Sequence, residues 1–198
     1  MNGSKTKILL ISASAKTGGG PSHIFLLKEI LKDEFDFYLA MPRPIKEINN
    51  KKYLEIAERK LLIMDIIRLI IFSRKNSIDI IHAHGKGAGL IARIIKIFLN
   101  KPLLYTFHGI HTICLERFSK YLYIIYENIT SFLVDEKIFV SLSEKKQAIS
   151  SKILIGKNNC IINNCSKEMI RLKFNDEKNN FKIGINNCNK NVISICRL

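Results

Sequence analysis

The sequence has no C-x-x-C pair, no G-x-G-x-x-G loop, no G-K-[ST] phosphate-loop ending, and no apolar run approaching the about 18 residues that a membrane span needs. Each absence removes a class. The five cysteines, Cys114, Cys160, Cys165, Cys188 and Cys196, are odd in number and fall at no ligand spacing. Neither a disulfide framework nor a zinc ribbon is expected, and 198 residues bury a sizeable core without such staples. A reducing, cytoplasmic setting follows. The N-terminal MNGSKTKILLISASA has basic residues before apolar ones, as a signal peptide does. Its apolar stretch, KILLISA, is short and runs into glycine-rich turn chemistry, so it reads as a first buried strand.

Acidic residues are scarce: 17 against 32 basic ones, a formal net charge of +15. Such an excess points to a polyanion or an anionic membrane face. The chain is also crowded with Ile, Lys and Asn, the residues an AT-rich genome favours, so part of the charge is compositional. No basic stripe with interleaved stacking aromatics, helix-turn-helix or RNA-binding motif is visible, and nucleic acid is not expected as a partner.

What is present is an alternation of short apolar runs with longer helical patterns, the signature of βαβ units, a parallel sheet and helices on both faces. Strands are predicted at Lys7 to Ser12, Phe35 to Ala40, Ile78 to His82, Leu103 to Phe107, Lys137 to Ser141 and Cys160 to Ile162. Helices are predicted from about Pro21, over Tyr53 to Ser73, Ala88 to Leu99, Cys114 to Phe132 and Glu144 to Ile153. The polar stretch KFNDEKNNFKIGINNCNK reads as a linker, and NVISICRL after it as a fresh strand. No internal repeat occurs at a fixed period. The expected fold class is α/β, a Rossmann-like parallel sheet flanked by helices.

Ligands of such sheets bind at the carboxyl ends of strands, so the loops there carry the chemistry. After the first strand, KTGGGPSH lets backbone approach a ligand and starts a helix with Pro21, whose free N–H groups suit a phosphate. A plain strand-to-helix turn explains the same residues. Next, His82-Ala83-His84-Gly85-Lys86 puts two histidines at a strand end. Without a third ligand at suitable spacing, one ring bonded into the fold and one facing a cleft is the expected arrangement, and no metal site is assigned. The following strand delivers His108-Gly109, where His108 is structural or catalytic. Ser141 and Ser143 precede a helix, as an N-cap does, and Asn163 and Asn164 follow a short strand, as a turn does.

In order and spacing these loops resemble the N-terminal domain of glycosyltransferase family 4, retaining enzymes with the GT-B fold. The family's G-G-x-x-x-H is matched by Gly18-Gly19-Gly20-Pro21-Ser22-His23, and D-x-x-H-x-H by Asp79-Ile80-Ile81-His82-Ala83-His84. A proline-led strand ending in T-x-H is matched from Pro102 to His108, and V-S-x-x-E by Val140, Ser141 and Glu144. I-x-N-G is matched in part by Ile162-Asn163-Asn164-Cys165, and the G-R-L that opens the second domain by Cys196-Arg197-Leu198. Cysteine at 165 and 196 replaces the usual glycine.

The resemblance implies residues 1–172 as the GT-B acceptor-side domain, 173–190 as a polar linker and 191–198 as the first strand of a donor-binding domain. It implies a nucleotide-sugar donor whose diphosphate meets Gly18, Gly19 and Gly20 and the guanidinium of Arg197. It places His108 on the transferred sugar as the catalytic histidine, and His84, Ser141 and Asn164 toward the acceptor or sugar. No cofactor or metal is expected. The implied acceptor is a glycan or lipid-linked molecule of cell-surface polysaccharide assembly. The lysine and E-x7-E motif of the second domain are not in the sequence, so this chain alone is expected to be inactive, with a separately encoded C-terminal domain as a partner.

In AGLIARIIKIFLNK, Arg93, Lys96 and Lys101 are expected at the solvent beside an apolar face, and LLIMDIIRLIIF is apolar nearly all round. Both are consistent with core-facing helices or with peripheral binding to an anionic membrane. Two other readings remain: a non-catalytic scaffold that keeps the fold, or another GT-B-like enzyme such as a sugar-nucleotide epimerase, whose catalytic carboxylates have no candidates here.

Overall fold

The computed structural model describes residues 5–15, 19–43, 50–110 and 117–163. Its elements run β1 (Thr6–Ser12), α1 (Gly19–Ile30), β2 (Phe35–Met41), β3 (Tyr53–Glu55), α2 (Ile63–Lys75), β4 (Ile80–His84) and α3 (Lys86–Leu99). They continue with β5 (Leu103–Phe107), α4 (Arg117–Ile129), β6 (Glu136–Phe139), α5 (Leu142–Ser150) and β7 (Asn159–Ile161). The sheet is parallel throughout, in the order β3-β2-β1-β4-β5-β6-β7. This is the Rossmann-like α/β arrangement expected from the sequence.

β1 shows why an unbroken apolar run belongs at the centre. Ile8 and Leu10 join a cluster with Ile24 and Leu27 of α1 and Leu31 just beyond it, whereas Leu9 and Ile11 join a second cluster with Leu69 of α2 and Ile91 and Ile95 of α3. Side chains alternate across a strand, so one run feeds a core on each face. β4 divides its residues differently. Ile81 and Ala83 enter the cluster shared with α3, which turns His82 and His84 to the opposite face.

Two expectations are corrected. The segment Tyr53 to Ser73 is not one helix. Tyr53–Glu55 adds to β2 as an edge strand, with Leu39 paired to Tyr53, and the helix begins only at Ile63. Arg59 stands between them with φ of 53°, which ends any helical path, and its N–H donates to the carbonyl of Ala13 at 2.9 Å. Asp65 is buried in the first turn of α2 and accepts the N–H of Ala57 at 2.8 Å. The second correction concerns Arg93, expected at the solvent. It is 1% exposed, and its Nη2 donates to Glu127 Oε2 at 2.6 Å. Tyr105 and Tyr126 flank the guanidinium, with ring centroids at 4.7 and 5.1 Å. Lys96 pairs with Asp135.

Helix ends follow local chemistry. Asn100 closes α3 in the left-handed region, φ 49° and ψ 42°, and its N–H bonds Lys96. α5 stops at Ser150 rather than Ile153, because Lys152 turns at φ 60° and lets the Ile153 N–H reach the carbonyl of Ala148.

Candidate functional site

The strand order reverses at β1, which has β2 on one side and β4 on the other, and a crevice opens where the chain leaves in opposite directions. Ser12 ends β1 beside His84, which ends β4, and His84 in turn pairs with Thr106 of β5. Above these strand ends lies a cavity of about 840 Å3. Its wall includes Ser12, Gly20 and Pro21 at the start of α1, His84, Gly85 at the start of α3, and His108.

Four histidines converge here from two strand ends and one helix. His23 of α1 is buried, with its ring centroid 5.6 Å from His84 and 5.3 Å from His108. His82 and His84 lie 4.1 Å apart. His82 Nε2 is hydrogen-bonded to Thr106 Oγ1 at 2.8 Å, and His84 Nδ1 to His108 Nε2 at 3.2 Å. One proton serves the second contact, so the tautomers of the two rings are coupled. Burial, and then the neighbouring rings, push these imidazoles toward the neutral form: His82 to about 3, His108 to about 4 and His84 well below its ordinary value. At neutral pH these three rings are uncharged, so they can give and take hydrogen bonds but supply no positive charge. His84 Nε2 is buried and has no hydrogen-bond partner among the described residues.

The loop bearing His108 is fixed from α5. Glu144 accepts hydrogen bonds from the main-chain N–H of Gly109 and, at 2.9 Å, that of Val140. Gln147 Nε2 donates to the carbonyl of Ile110 at 2.8 Å. Gly109 adopts φ of 98°, a left-handed conformation that suits glycine. Ser141 caps α5, its Oγ accepting the N–H of Glu144 at 3.1 Å and contacting Ser143 Oγ at 2.9 Å.

The α3 start comes close to the loop after β1. A Cβ at Gly87 would stand 2.8 Å from that of Ala13, so a larger residue would push helix and loop apart. Arg59, Lys60 and Lys86 bring positive charge to the cavity, and no Asp or Glu lines it among the described residues. This leaves an epimerase reading without a carboxylate in the cavity. Among those residues no group of three or more His, Cys, Asp or Glu is arranged to hold a metal ion.

A family model described as Glycosyltransferase Family 4 matches residues 18–157. The chain belongs to that family. Its fold is that of GT-B structures. Anabaena HepE, solved with UDP and glucose, superposes with a TM-score of 0.63 at 14% identity, over 85% of this chain and 50% of HepE. A glycosyltransferase from Rickettsia africae gives 0.58 at 16% identity, over 89% of this chain and 51% of its own. Sucrose-phosphate synthase from Thermosynechococcus elongatus gives 0.64 at 13% identity, over 86% and 53%. The chain thus spans about half the length of these proteins. Comparison with curated protein sequences returned no match.

Of the residues singled out from the sequence, the structure brings Gly20, His84 and His108 to one cavity, with Gly19 beginning α1 beside them. Ser141 is engaged as a helix cap and does not line the cavity. Gly18, Asn164 and Arg197 lie outside the described residues, as do Cys165, Cys196, the linker over 173–190 and the strand over 191–198. Missed were His23 as a site member, the cations Arg59, Lys60 and Lys86, and the Glu144 and Gln147 tethers. Glu144 had a signal, since S-x-x-E is capping-box spacing. The cations had none, because lysine is everywhere in this sequence.

Proposed function

We propose that this chain forms the acceptor-side half of a glycosyltransferase that moves a sugar from a nucleotide-sugar to a glycan or lipid-linked acceptor in the assembly of cell-surface polysaccharide, such as capsule or lipopolysaccharide. The observation that carries this reading is the convergence of the α1 start, His84 and His108 on one cavity at the carboxyl edge of the sheet. N–H groups at the start of α1 suit a donor diphosphate, since a helix N-terminus offers both free donors and partial positive charge. HepE has been solved with UDP and with UDP-glucose, which supports the donor class. His108, neutral and held by His84, orients the sugar through hydrogen bonds. No metal or other cofactor enters this scheme.

Transfer requires donor and acceptor to be held together in a closed cleft. The chain alone is therefore proposed to be inactive and to need a donor-binding domain, whether joined to it or encoded separately. Turnover of common nucleotide sugars by the purified chain would sink that part. In a two-domain protein, His108→Ala is expected to lower kcat/KM on the order of 100-fold; unchanged activity would remove His108 from the site.

We also propose peripheral association with an anionic membrane, carried by α2. This helix buries Asp65, Leu69 and Ser73 and exposes Ile63, Met64, Ile67 and Ile71. Its apolar outer stripe, with Arg74 and Lys75 at the C-terminal end, suits the interfacial plane of a bilayer. Among the described residues no helix is long and apolar enough to cross one. Sedimentation with phosphatidylglycerol vesicles tests the proposal: binding that resists Ile67→Glu with Ile71→Glu would overturn it.

A further inference from the structure

We infer that His84 is a positioning residue that sets the tautomer of His108. Both rings carry their proton on Nδ1, so the nitrogen that His108 keeps for a ligand donates, and the ligand group it meets is a hydrogen-bond acceptor. The inference rests on the transferase reading and deepens it by fixing the direction of the bond between His108 and its ligand.

A neutral imidazole has one N–H and one bare nitrogen. Across the 3.2 Å contact between His84 Nδ1 and His108 Nε2, one ring donates and the other accepts. Burial and the neighbouring rings keep both neutral, which leaves two arrangements. Either both rings are protonated on Nε2 and His108 donates, or both are protonated on Nδ1 and His84 donates.

The far nitrogen of His84 decides between them. Nε2 is buried, on a ring 5% exposed, and has no hydrogen-bond partner among the described residues. Protonation there would seal an N–H away from water with nothing to receive it. Protonation on Nδ1 leaves a bare nitrogen in that place and puts the proton to use in the contact with His108. A buried N–H without an acceptor is rarer in folded proteins than an acceptor left unused.

The surroundings hold the two rings in this contact. His84 pairs with Thr106 between β4 and β5, so His84 and His108 leave adjacent strand ends. His82 packs on His84 with centroids 4.1 Å apart and is itself anchored through Nε2 to Thr106 Oγ1 at 2.8 Å. His23 lies against both rings, at 5.6 and 5.3 Å. With Nε2 of His108 occupied, Nδ1 is the nitrogen remaining on a ring that lines the cavity. A hydroxyl, ring oxygen or carboxylate can accept its proton; an ammonium group cannot.

Long-range 1H–15N correlation spectra of the chain labelled with 15N-histidine, at neutral pH and without ligand, test this. A protonated imidazole nitrogen resonates far upfield of a bare one, so each ring reports its own tautomer. His84 and His108 should both show a protonated Nδ1 and a bare Nε2, the less common form of histidine in water. In His84→Phe, which keeps a flat ring in the same place, His108 should revert to the Nε2–H form with the amide spectrum otherwise preserved. Wild-type rings protonated on Nε2 would overturn the inference whether or not the variant folds, and so would a His108 that stays protonated on Nδ1 without His84. No nucleotide-sugar enters these spectra. Failure of the transferase reading would leave the tautomers as they are, and the opposite tautomers would leave that reading intact.

Discussion

The carboxylate of Glu144 accepts the main-chain N–H of Gly109, one residue after His108, and so ties the loop beyond β5 to the first turn of α5. The same carboxylate holds Val140 after β6. Two neighbouring strand ends are therefore locked by one buried side chain, and the position of His108 depends on it.

Glu144→Gln keeps the shape of the group but puts an amide where two N–H donors converge, and Glu144→Ala removes the tether. In a two-domain enzyme both should lower kcat more than they raise KM, because the loss is in positioning. Glu144→Asp should recover part of the loss. If both variants alter only thermal stability, Glu144 has no positioning role.

The Arg93–Glu127 pair is 2% and 0% exposed. Glu127→Gln leaves a buried guanidinium without its counter-charge and should cost about 3–5 kcal/mol. Replacing both, Arg93→Met with Glu127→Leu, should restore most of that. Urea unfolding of the three proteins checks the order; equal destabilisation by the single and double variants would contradict it.

Gly89 faces the same cluster. A Cβ there would lie 2.7 Å from Tyr105 Cε2 and 3.1 Å from Arg93 Nη1, both of them packed rather than free to move aside. Gly89→Ala is a better helix former yet should destabilise by about 1–3 kcal/mol through overpacking. A rise in melting temperature would show that the ring gives way.

Stability should fall in mild acid. His82 and His108 have native values of about 3 and 4 against 6.5 when unfolded, and His84 is lowered as well. Between the two limits the unfolded chain binds more protons, so stability is full above about pH 6.5 and is lost as pH falls toward 4. Each histidine contributes a slope of about 1.4 kcal/mol per pH unit. Glu136 and Glu144, raised by burial, act in the opposite sense only in the carboxylate range. Urea midpoints across pH 7 to 4.5 read the slope, and His82→Gln should reduce it.

Wherever burial dictated the residue pattern, the fold was readable. The doubly covered run of β1 and the Pro102-led strand at Leu103–Phe107 fell where the sequence placed them. The apolar residues of Tyr53 to Ser73 read as one helix in the sequence, while Tyr53 and Leu54 pair along β2 and several others face outward. Periodicity cannot distinguish an inward stripe from an outward one. Arg93 was misplaced for the converse reason: its partner Glu127 lies on a different helix, and no spacing announces such a pairing. In the site, His84 and His108 were legible because each ends a strand. The tether from Glu144 to Gly109 and the cations around α3 were not, since both depend on which loops become neighbours.

Ser12 and His84 sit side by side, yet α1, β2, β3 and α2 separate them along the chain. During synthesis β1 can pair with β2 early, but its other edge stays open until β4 emerges and returns to the middle of the sheet. That interval exposes a central, strongly apolar edge to neighbouring chains, the circumstance in which parallel sheets aggregate. The binding cavity is thus among the last parts of the molecule to exist, and a nascent chain released before α3 carries the hazard of the open edge without any of the chemistry.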